Sequence, residues 1–358
     1  MAYIRKTVIG LLVVAVSLAV FLSLVMRVAN MKAQTIYAAG FVAVKAQNVV
    51  QNFEMITSQG VQGNAPSLDG FDMSEIKLNV NHIQGMGVYG EYVIITINGH
   101  YPDNDTGIIY IFDQNGIVQK LYTPRQKGKD MSHTGGMQVA GDYLYVVIQD
   151  NGQNTGAFLC VYHLAPLNKG EEVYLYHSCG IENFHSSMVG ATTYRTEDGV
   201  EKILLCDSEF TFFVSDIPHN KEEKPSWSKC RMHPDSRKRG SGEDNNVAFI
   251  TDTDNALWVI GMQNRNIGGG GLPNYGDTLY LYPLEINNDC YKLLPSVADK
   301  DMTPYDHEFG ALGSHFRFAS TVAVEGNGAF TVYATQSIPI GAILKGLTPY
   351  TLPINIYR

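Results

Sequence analysis

The sequence has few charged residues and no excess of basic ones. Charged side chains make up 17% of the chain, and 35 acidic residues against 26 Lys and Arg residues give a formal net charge of −9. A chain with this balance has no general attraction to phosphate backbones, and it carries no recognisable nucleic-acid-binding motif. We therefore exclude nucleic acid as a partner.

Cysteine is also scarce, and its spacing predicts little. The five cysteines form no C-x-x-C or zinc-finger pattern, and an odd number cannot all pair within one chain. Cys160 and Cys206 stand inside apolar strand patterns, which predicts small buried side chains. Cys179, Cys230 and Cys290 are the candidates for any single disulfide.

Several catalytic signatures are missing as well. The sequence has no G-x-S-x-G elbow and no H-E-x-x-H helix. The glycine run 268–271 lacks the Lys-Ser/Thr pair that completes a phosphate loop, so it predicts an ordinary loop. These absences leave no short motif that assigns an activity.

Glycine and aromatic residues are plentiful. The 358 residues are 45% hydrophobic and include 35 Gly, 21 Tyr and 15 Phe. Aromatic and β-branched side chains fit the pleated surface of a sheet, and glycine suits the turns between strands. The composition predicts an all-β protein with a sizeable core.

The N-terminus carries an uncharged apolar run from Val8 to Met26, between Arg5-Lys6 and Arg27. At 1.5 Å per residue this run matches the roughly 30 Å hydrocarbon core of a bilayer, and it exceeds the usual apolar region of a cleaved signal. We expect an N-terminal transmembrane helix, a signal anchor in residues 1–32, with the bulk of the chain outside the cytoplasm. A cleaved signal peptide, giving a secreted protein, is the alternative.

Residues 33–69 are interpreted as a stalk and linker. The stretch 57–66 is rich in Gly, Ser, Asn and Pro, and this composition ends any preceding helix. The folded domain is therefore predicted to span residues 70–358.

An internal repeat organises this domain. The segment His82-Ile-Gln-Gly-Met-Gly-Val-Tyr-Gly-Glu-Tyr aligns with His133-Thr-Gly-Gly-Met-Gln-Val-Ala-Gly-Asp-Tyr. Each copy is a strand, a Gly-acidic turn and a second strand, which is the pattern of a β-hairpin. Two further strands follow each hairpin, which gives the four strands of a propeller blade.

Weaker copies start at 185, about 245 and 315, so the sequence predicts a β-propeller with five four-stranded blades. Insertions at 219–244 and 264–277 account for the longer later spacings. The fifth unit lacks an obvious fourth strand, and Glu75–Val80 is predicted to supply it and close the ring. A β-sandwich with coincidental hairpin similarity is the alternative.

The blade start His133-Thr-Gly-Gly136 resembles the His-x-Gly-Gly blade starts of exported β-propeller proteins. The resemblance implies the architecture and a location outside the cytoplasm. It brings no activity and no catalytic residue set.

Histidine recurs at the blade starts. Because the first strand of each blade lines the central channel, these side chains converge in a propeller, and neutral imidazole is a common metal ligand. The predicted divalent-metal or substrate site consists of His82, His133, His185 and His315. The alternative is that they hydrogen-bond the neighbouring blade and only fix the repeat.

Acidic residues near the same starts form a second candidate site. Some five-bladed propellers are glycoside hydrolases, which need two carboxyl groups at the scissile bond. The candidates for catalysis are Asp130, Asp207, Glu209, Asp244 and Asp306. Acidic residues in turns more often face solvent or cap the backbone.

The leading functional interpretation is a membrane-anchored binding or scaffold module outside the cytoplasm. It presents loops such as 100–106, 219–244 and 264–277 to a protein or a glycan. The alternative is a propeller enzyme, metal-dependent or similar to a glycoside hydrolase, with its site at the channel mouth.

Overall fold

The structure is a computed structural model of the full chain. It describes residues 44–63, 66–68, 71, 82–98, 106–125, 131–149, 156–182, 184, 189–196, 199–207, 210–217, 226–230, 246–266, 275–287, 290–307, 313–316, 319–336 and 351–358. The predicted span Val8–Met26 and the segment Glu75–Val80 lie outside these residues. Within them, no helix has the length and hydropathy needed to cross a bilayer.

The described chain forms five antiparallel sheets arranged as a ring. The first strand of each sheet contacts the first strand of the next, and the first strand of the last sheet contacts that of the first. This confirms the predicted all-β propeller of five four-stranded blades and excludes the β-sandwich.

Blades one and two are continuous in sequence. Each begins with a strand near the axis and ends with a strand at the rim, and successive strands pair antiparallel. After helix α1 (Val49–Met55) and strand β1 (Val61–Gln62), the elements are β2 (His82–Tyr89), β3 (Tyr92–Asn98), β4 (Ile108–Asp113) and β5 (Gly116–Tyr122) in blade one, and β6 (His133–Ala140), β7 (Tyr143–Gln149), β8 (Gly156–His163), a 3₁₀ helix (Ala165–Lys169) and β9 (Tyr174–Glu182) in blade two.

Blades three, four and five depart from this regularity at their rims. In blade four the outer strand is interrupted, and both of its parts pair with the same neighbour. The elements are β10 (Val189–Arg195), β11 (Glu201–Asp207), β12 (Phe212–Asp216) and β13 (Ser228–Cys230) in blade three, β14 (Asn246–Thr251), β15 (Leu257–Asn266), β16 (Tyr275–Asn287), β17 (Cys290–Leu293) and β18 (Ala298–Met302) in blade four, and β19 (Ala319–Val324), β20 (Phe330–Thr335) and β21 (Ile354–Tyr357) in blade five.

The two predicted insertions are partly regular structure. Segment 219–244 contains β13, the outer strand of blade three, so it is not one loop. In segment 264–277, residues 264–266 and 275–277 extend the β15–β16 ladder, which continues to the pair Asn266 and Tyr275. The later blades are therefore longer because strands were added or extended as well as loops.

The core lies between adjacent blades, so both faces of an inner strand are buried. In β3, Ile94 packs toward blade two, whereas Ile95 and Ile97 pack toward blade five. This explains the unbroken apolar runs of the sequence, since a strand buried on both sides does not alternate with polar residues. Cys160 and Cys206 are fully buried in such strands, as predicted.

The repeated glycines lie where the first strands of two blades approach each other. A Cβ at Gly85 would stand 2.7 Å from the carbonyl oxygen of Gly135. Beside them, Thr134 Oγ1 donates to the Ile97 carbonyl at 2.6 Å, and Thr96 Oγ1 donates to the Gly135 carbonyl at 3.1 Å. The motif that marks the repeat thus has a packing role at the boundary between blades one and two.

Gln138 joins the first strands of three blades. Its Oε1 accepts from the backbone N–H groups of Ala191 at 2.7 Å and Phe249 at 3.0 Å, and its Nε2 donates to the Phe249 carbonyl at 2.9 Å. The side chain is buried and all three bonds involve backbone. The side chain of Gln138 therefore bridges blades two, three and four near the axis of the ring.

Residues 44–63, which we call the N-terminal strap, pack along blades four and five. Val49 and Phe53 of α1, together with Ile56, are buried in the core between these blades. Lys300 Nζ donates to the carbonyls of Glu54 at 2.6 Å and Ile56 at 2.5 Å, which satisfies acceptors at the end of the helix.

The strap corrects two interpretations of the sequence. The described part of the predicted stalk and linker, 33–69, belongs to the folded body because its apolar residues complete the blade four and five core. The fourth strand of blade five is β1, which pairs with β21, whereas Glu75–Val80 was expected in that place. Ring closure from the N-terminal side was predicted, but with the wrong segment.

Candidate functional site

The two faces of the ring differ in the length of their connections. On one face, which we call the upper face, the first strands of all blades begin and the second strands end, as the pairs His82–Asn98, Val189–Asp207 and Ala319–Thr335 show. On the opposite, lower face, first and second strands are joined by tight turns such as Gly90-Glu91 and Gly141-Asp142. Long connections carry most binding sites in rigid folds, so the upper face is the candidate surface.

Three buried carboxylates lie at the upper face. Asp207 is the last residue of β11, Asp277 pairs with Asn264 in the upper extension of the β15–β16 hairpin, and Asp306 bonds to Gln336, which directly follows β20. They are the only buried Asp or Glu residues in the described part of the chain. Asp207 and Asp277 belong to blades three and four, and Asp306 lies in the connection from blade four to blade five.

Asp277 holds a histidine. Its Oδ2 lies 2.9 Å from Nδ1 of His315, and its Oδ1 accepts from Asn264 Nδ2 at 2.7 Å and from the Phe316 N–H at 3.2 Å. An ionised carboxylate only accepts, so Nδ1 carries the proton in this bond. The bond fixes the orientation of the imidazole, with Nε2 as its second polar atom.

Asp306 holds the residue before that histidine. One oxygen accepts from the Ser314 N–H at 2.9 Å, and the other accepts from Ser314 Oγ at 2.9 Å and from Gln336 Nε2 at 2.8 Å. Residues 313–316 are thereby fixed between two carboxylates. We call Asp277, Asp306, Ser314 and His315 the carboxylate–histidine cluster.

The pKa of Tyr357 is affected by the carboxylates of this cluster. Burial raises the pKa of its phenol well above the usual value, and the negative charge of Asp277 raises it further, with a smaller contribution from Asp306. The ring packs edge-on against Phe316, with centroids 5.7 Å apart. The phenol therefore stays neutral at physiological pH, and the charges of both carboxylates favour this neutral form.

The structure brings together two of the predicted site residues, His315 and Asp306, in this cluster. Asp207 instead fixes a turn in blade three, where its Oδ1 accepts from the Thr211 N–H at 2.7 Å. His82 bonds Gln84, with Nε2 and Oε1 2.5 Å apart, and His133 is half-buried at the start of β6.

The remaining predicted residues, His185, Asp130, Glu209 and Asp244, lie outside the described residues. In the part of the chain that the structure describes, no group of three or more His, Cys, Asp or Glu side chains could hold a metal ion. Because one of the four histidines is not covered, the divalent-metal site stays a prediction. Metal analysis of the purified full chain tests it.

Asp277 was missed by sequence reasoning. The segment that contains it reads as an insertion, because glycine, asparagine and proline dominate residues 266–276. The signal lay in the period of two along β16, where Leu279 and Leu281 are fully buried between blades four and five. Asp277 continues that same side of the strand, which places a carboxylate at the upper edge of the core.

No protein-family model and no curated protein matches the sequence. Solved structures with a similar fold include a hypothetical protein from Leishmania major, with 8% identity over 86% of this chain and 92% of that chain and a TM-score of 0.40. A GH62 hydrolase in complex with xylotriose has 10% identity over 86% of this chain and 100% of that chain and a TM-score of 0.40. An endo-arabinase from Bacteroides thetaiotaomicron has 10% identity over 77% of this chain and 93% of that chain and a TM-score of 0.37. At these identities and TM-scores the likenesses assign no chemistry to this chain. The count of five blades rests on its own strand pairing.

Proposed function

We propose that this protein is a carbohydrate-binding propeller whose ligand lies on the upper face of blades three to five. The observation that carries the proposal is that three buried carboxylates, Asp207, Asp277 and Asp306, lie at one face, in blades three and four and in the connection to blade five. Burying a carboxylate costs free energy, so packing alone gives no reason to collect all three at one face. Functional sites are where such groups gather.

The chemistry of the cluster favours a ligand rich in hydroxyl groups. Carboxylates, imidazole and side-chain amides such as those of Asn264 and Gln336 are the donors and acceptors that hydroxyl groups need. Exposed apolar patches often mark protein interfaces. In the described chain, large exposed hydrophobic side chains lie on rim strands, for example Val61 and Tyr174, and on the N-terminal strap, for example Val50 and Met55.

Binding of neutral and acidic oligosaccharides by the full chain tests this proposal. His315→Gln removes the imidazole that is hydrogen-bonded to Asp277, and we expect it to weaken binding about tenfold or more, as for a lost hydrogen bond. His163→Gln is the matched control, because that ring stacks on Tyr143 at the lower face with centroids 4.9 Å apart. Isothermal titration gives the affinities, and melting curves check the fold of each variant.

Two results would overturn the proposal. One is that no oligosaccharide binds to the wild-type chain. The other is that both histidine variants bind as the wild type does.

A second function, hydrolysis of the bound carbohydrate, is favoured by one specific contact. The 2.9 Å bond from His315 Nδ1 to Asp277 is the arrangement that orients an imidazole for proton transfer. Asp306 and the predicted acids Asp130, Asp207 and Glu209 would then supply the carboxyl groups. Release of new reducing ends from a bound oligosaccharide, abolished by Asp306→Asn with binding retained, distinguishes an enzyme from a binding module.

The proposal includes the membrane anchor in residues 1–32, with the propeller outside the cytoplasm. Its support is the uncharged run Val8–Met26. The full chain is then expected to stay with membranes after alkaline carbonate extraction. Recovery of a shortened soluble chain would favour the cleaved signal.

A further inference from the structure

Arg265 is an exposed arginine whose guanidinium is nevertheless fixed. It lies in the upper extension of β15, where Nε donates to Gln263 Oε1 at 2.5 Å and Nη2 donates to Tyr280 Oη at 2.5 Å. The guanidinium carbon is 5.8 Å from the centre of the Tyr280 ring. Gln263 and Tyr280 are both buried, so the positions of the two acceptors are set by the core.

The charge of Arg265 is not neutralised by these contacts, since an amide and a phenol are both neutral. No ion pair joins it to a carboxylate within the residues that the structure describes. Residues 266–276, which follow Arg265 in the chain, contain no Asp or Glu. Arg195, another exposed arginine, is by contrast paired with Glu201.

A fixed guanidinium with unused N–H groups is suited to a planar anion. The guanidinium has five N–H groups, and within the described residues two of them are bonded to protein. This leaves N–H groups on both terminal nitrogens, which form the fork that matches a carboxylate. The side chain has already lost its rotamer freedom in the free protein, so binding an anion costs less entropy.

Aromatic rings continue from Arg265 along the boundary between blades three and four. Tyr280 and Tyr282 stack with centroids 6.0 Å apart, and Tyr282 meets Phe210 edge-on at 5.3 Å. Phe210 is half-buried and belongs to the connection between β11 and β12 at the upper face. Phe210 is therefore only partly covered by protein at this face.

The backbone of Phe210 is strained. Its φ of 57° lies in the left-handed region, which is a genuine outlier for a bulky side chain. The buried Asp207 holds this conformation, because its carbonyl accepts from the Phe210 N–H at 3.0 Å and its Oδ1 accepts from the Thr211 N–H. Strain of this kind persists where a side chain has to be presented in a particular direction.

We propose that Arg265 binds the carboxylate of a uronate residue and that Phe210 provides an aromatic surface for the same oligosaccharide, so that the two form a subsite for an acidic sugar chain. This inference rests on the proposed carbohydrate ligand and adds its chemical class. An acidic chain with a net charge of −9 has no general attraction for polyanions, so one fixed arginine selects a single carboxylate at a defined position.

The test compares two ligands that differ only in charge: an oligogalacturonate and its fully methyl-esterified form of the same length. We expect the full chain to bind the acid more tightly, and Arg265→Gln to weaken binding of the acid about tenfold or more while leaving the ester unchanged. Arg265→Lys keeps the charge without the fork and should lose part of the preference. Arg195→Gln is the matched control and should behave as the wild type.

Phe210→Gly separates the two halves of the subsite. Glycine accepts the left-handed backbone, so this variant removes the ring without new strain. We expect it to weaken the acid and the ester equally. If Arg265→Gln fails to fold, Tyr280→Phe replaces it, since it keeps the ring and removes one bond to the guanidinium.

The outcomes of these experiments distinguish the uronate subsite from the proposed carbohydrate-binding function. Equal affinity of the wild type for acid and ester, an acid preference that survives Arg265→Gln, or a stronger preference for a sulfated oligosaccharide overturns the uronate subsite. In each of these cases sensitivity to His315→Gln keeps the carbohydrate function. Failure to bind any oligosaccharide overturns both.

Discussion

A chain that starts at residue 70 is expected to lack a stable fold, whereas one that starts at residue 44 keeps it. The shorter chain loses Val49, Phe53 and Ile56 from the core of blades four and five, and loses β1 from the rim of blade five. Full burial of each such side chain contributes about 1.5–3 kcal/mol, and a domain has only about 5–15 kcal/mol in total. Thermal melting of the two chains measures the difference.

Single substitutions in the strap sharpen this test. Phe53→Ala should cost about 3–5 kcal/mol, because the ring is buried and leaves a cavity. Gly60→Ala places a Cβ 2.1 Å from Oδ1 of the fully buried Asn355, and overpacking of this kind costs about 1–3 kcal/mol. Gly326→Ala is the control, because no atom lies within 4 Å of the added Cβ. Equal melting temperatures for the chains starting at 44 and 70 would show that the strap is dispensable.

Asp277→Ala is expected to destabilise the protein by about 3 kcal/mol or more, because each buried donor left without an acceptor costs about 1–3 kcal/mol. The substitution removes the acceptor for His315, Asn264 and the Phe316 N–H at once. Equilibrium unfolding in urea measures the change in free energy.

Asp216→Ala is the matched control for this substitution. Asp216 is 74% exposed and stands 3.9 Å from Lys202, and an exposed pair of this kind contributes at most about 1 kcal/mol. A loss at Asp277 no larger than the loss at Asp216 would contradict the prediction, and it would mean that the contacts of the Asp277 carboxylate contribute little to stability.

The blade repeat was predictable because the same physical constraint recurs in each copy. Gly90 and Gly141 both have a φ of 58°, which glycine adopts without strain, and they mark equivalent turns. Gly85 allows the close approach of neighbouring first strands. Because these constraints require particular residues at particular positions, the repeat is recognisable in the sequence. The fold class and the positions of the blades could be predicted from it.

The N-terminal strap and the carboxylate–histidine cluster were harder to predict from the sequence. Val49, Phe53 and Ile56 have the spacing of one helix face, but a helix of two turns among polar residues reads equally well as a stalk. Asp306 and His315 were predicted as candidates because they lie near a blade start. Their meeting with Asp277 depends on a contact between blades four and five, and no local pattern encodes the packing of two strands far apart in sequence.

Closure of the ring by β1 also has a consequence for how the protein is made. β1 is the first strand of the ring in the chain and its partner β21 is the last, so this pairing joins segments that are synthesised at opposite ends of the process. Until β21 has emerged, the growing ring keeps an open blade edge, and such edges are where nascent chains associate wrongly. The rate-limiting event in folding is therefore expected to be the meeting of distant segments rather than the formation of any blade, because long-range contacts form slowly.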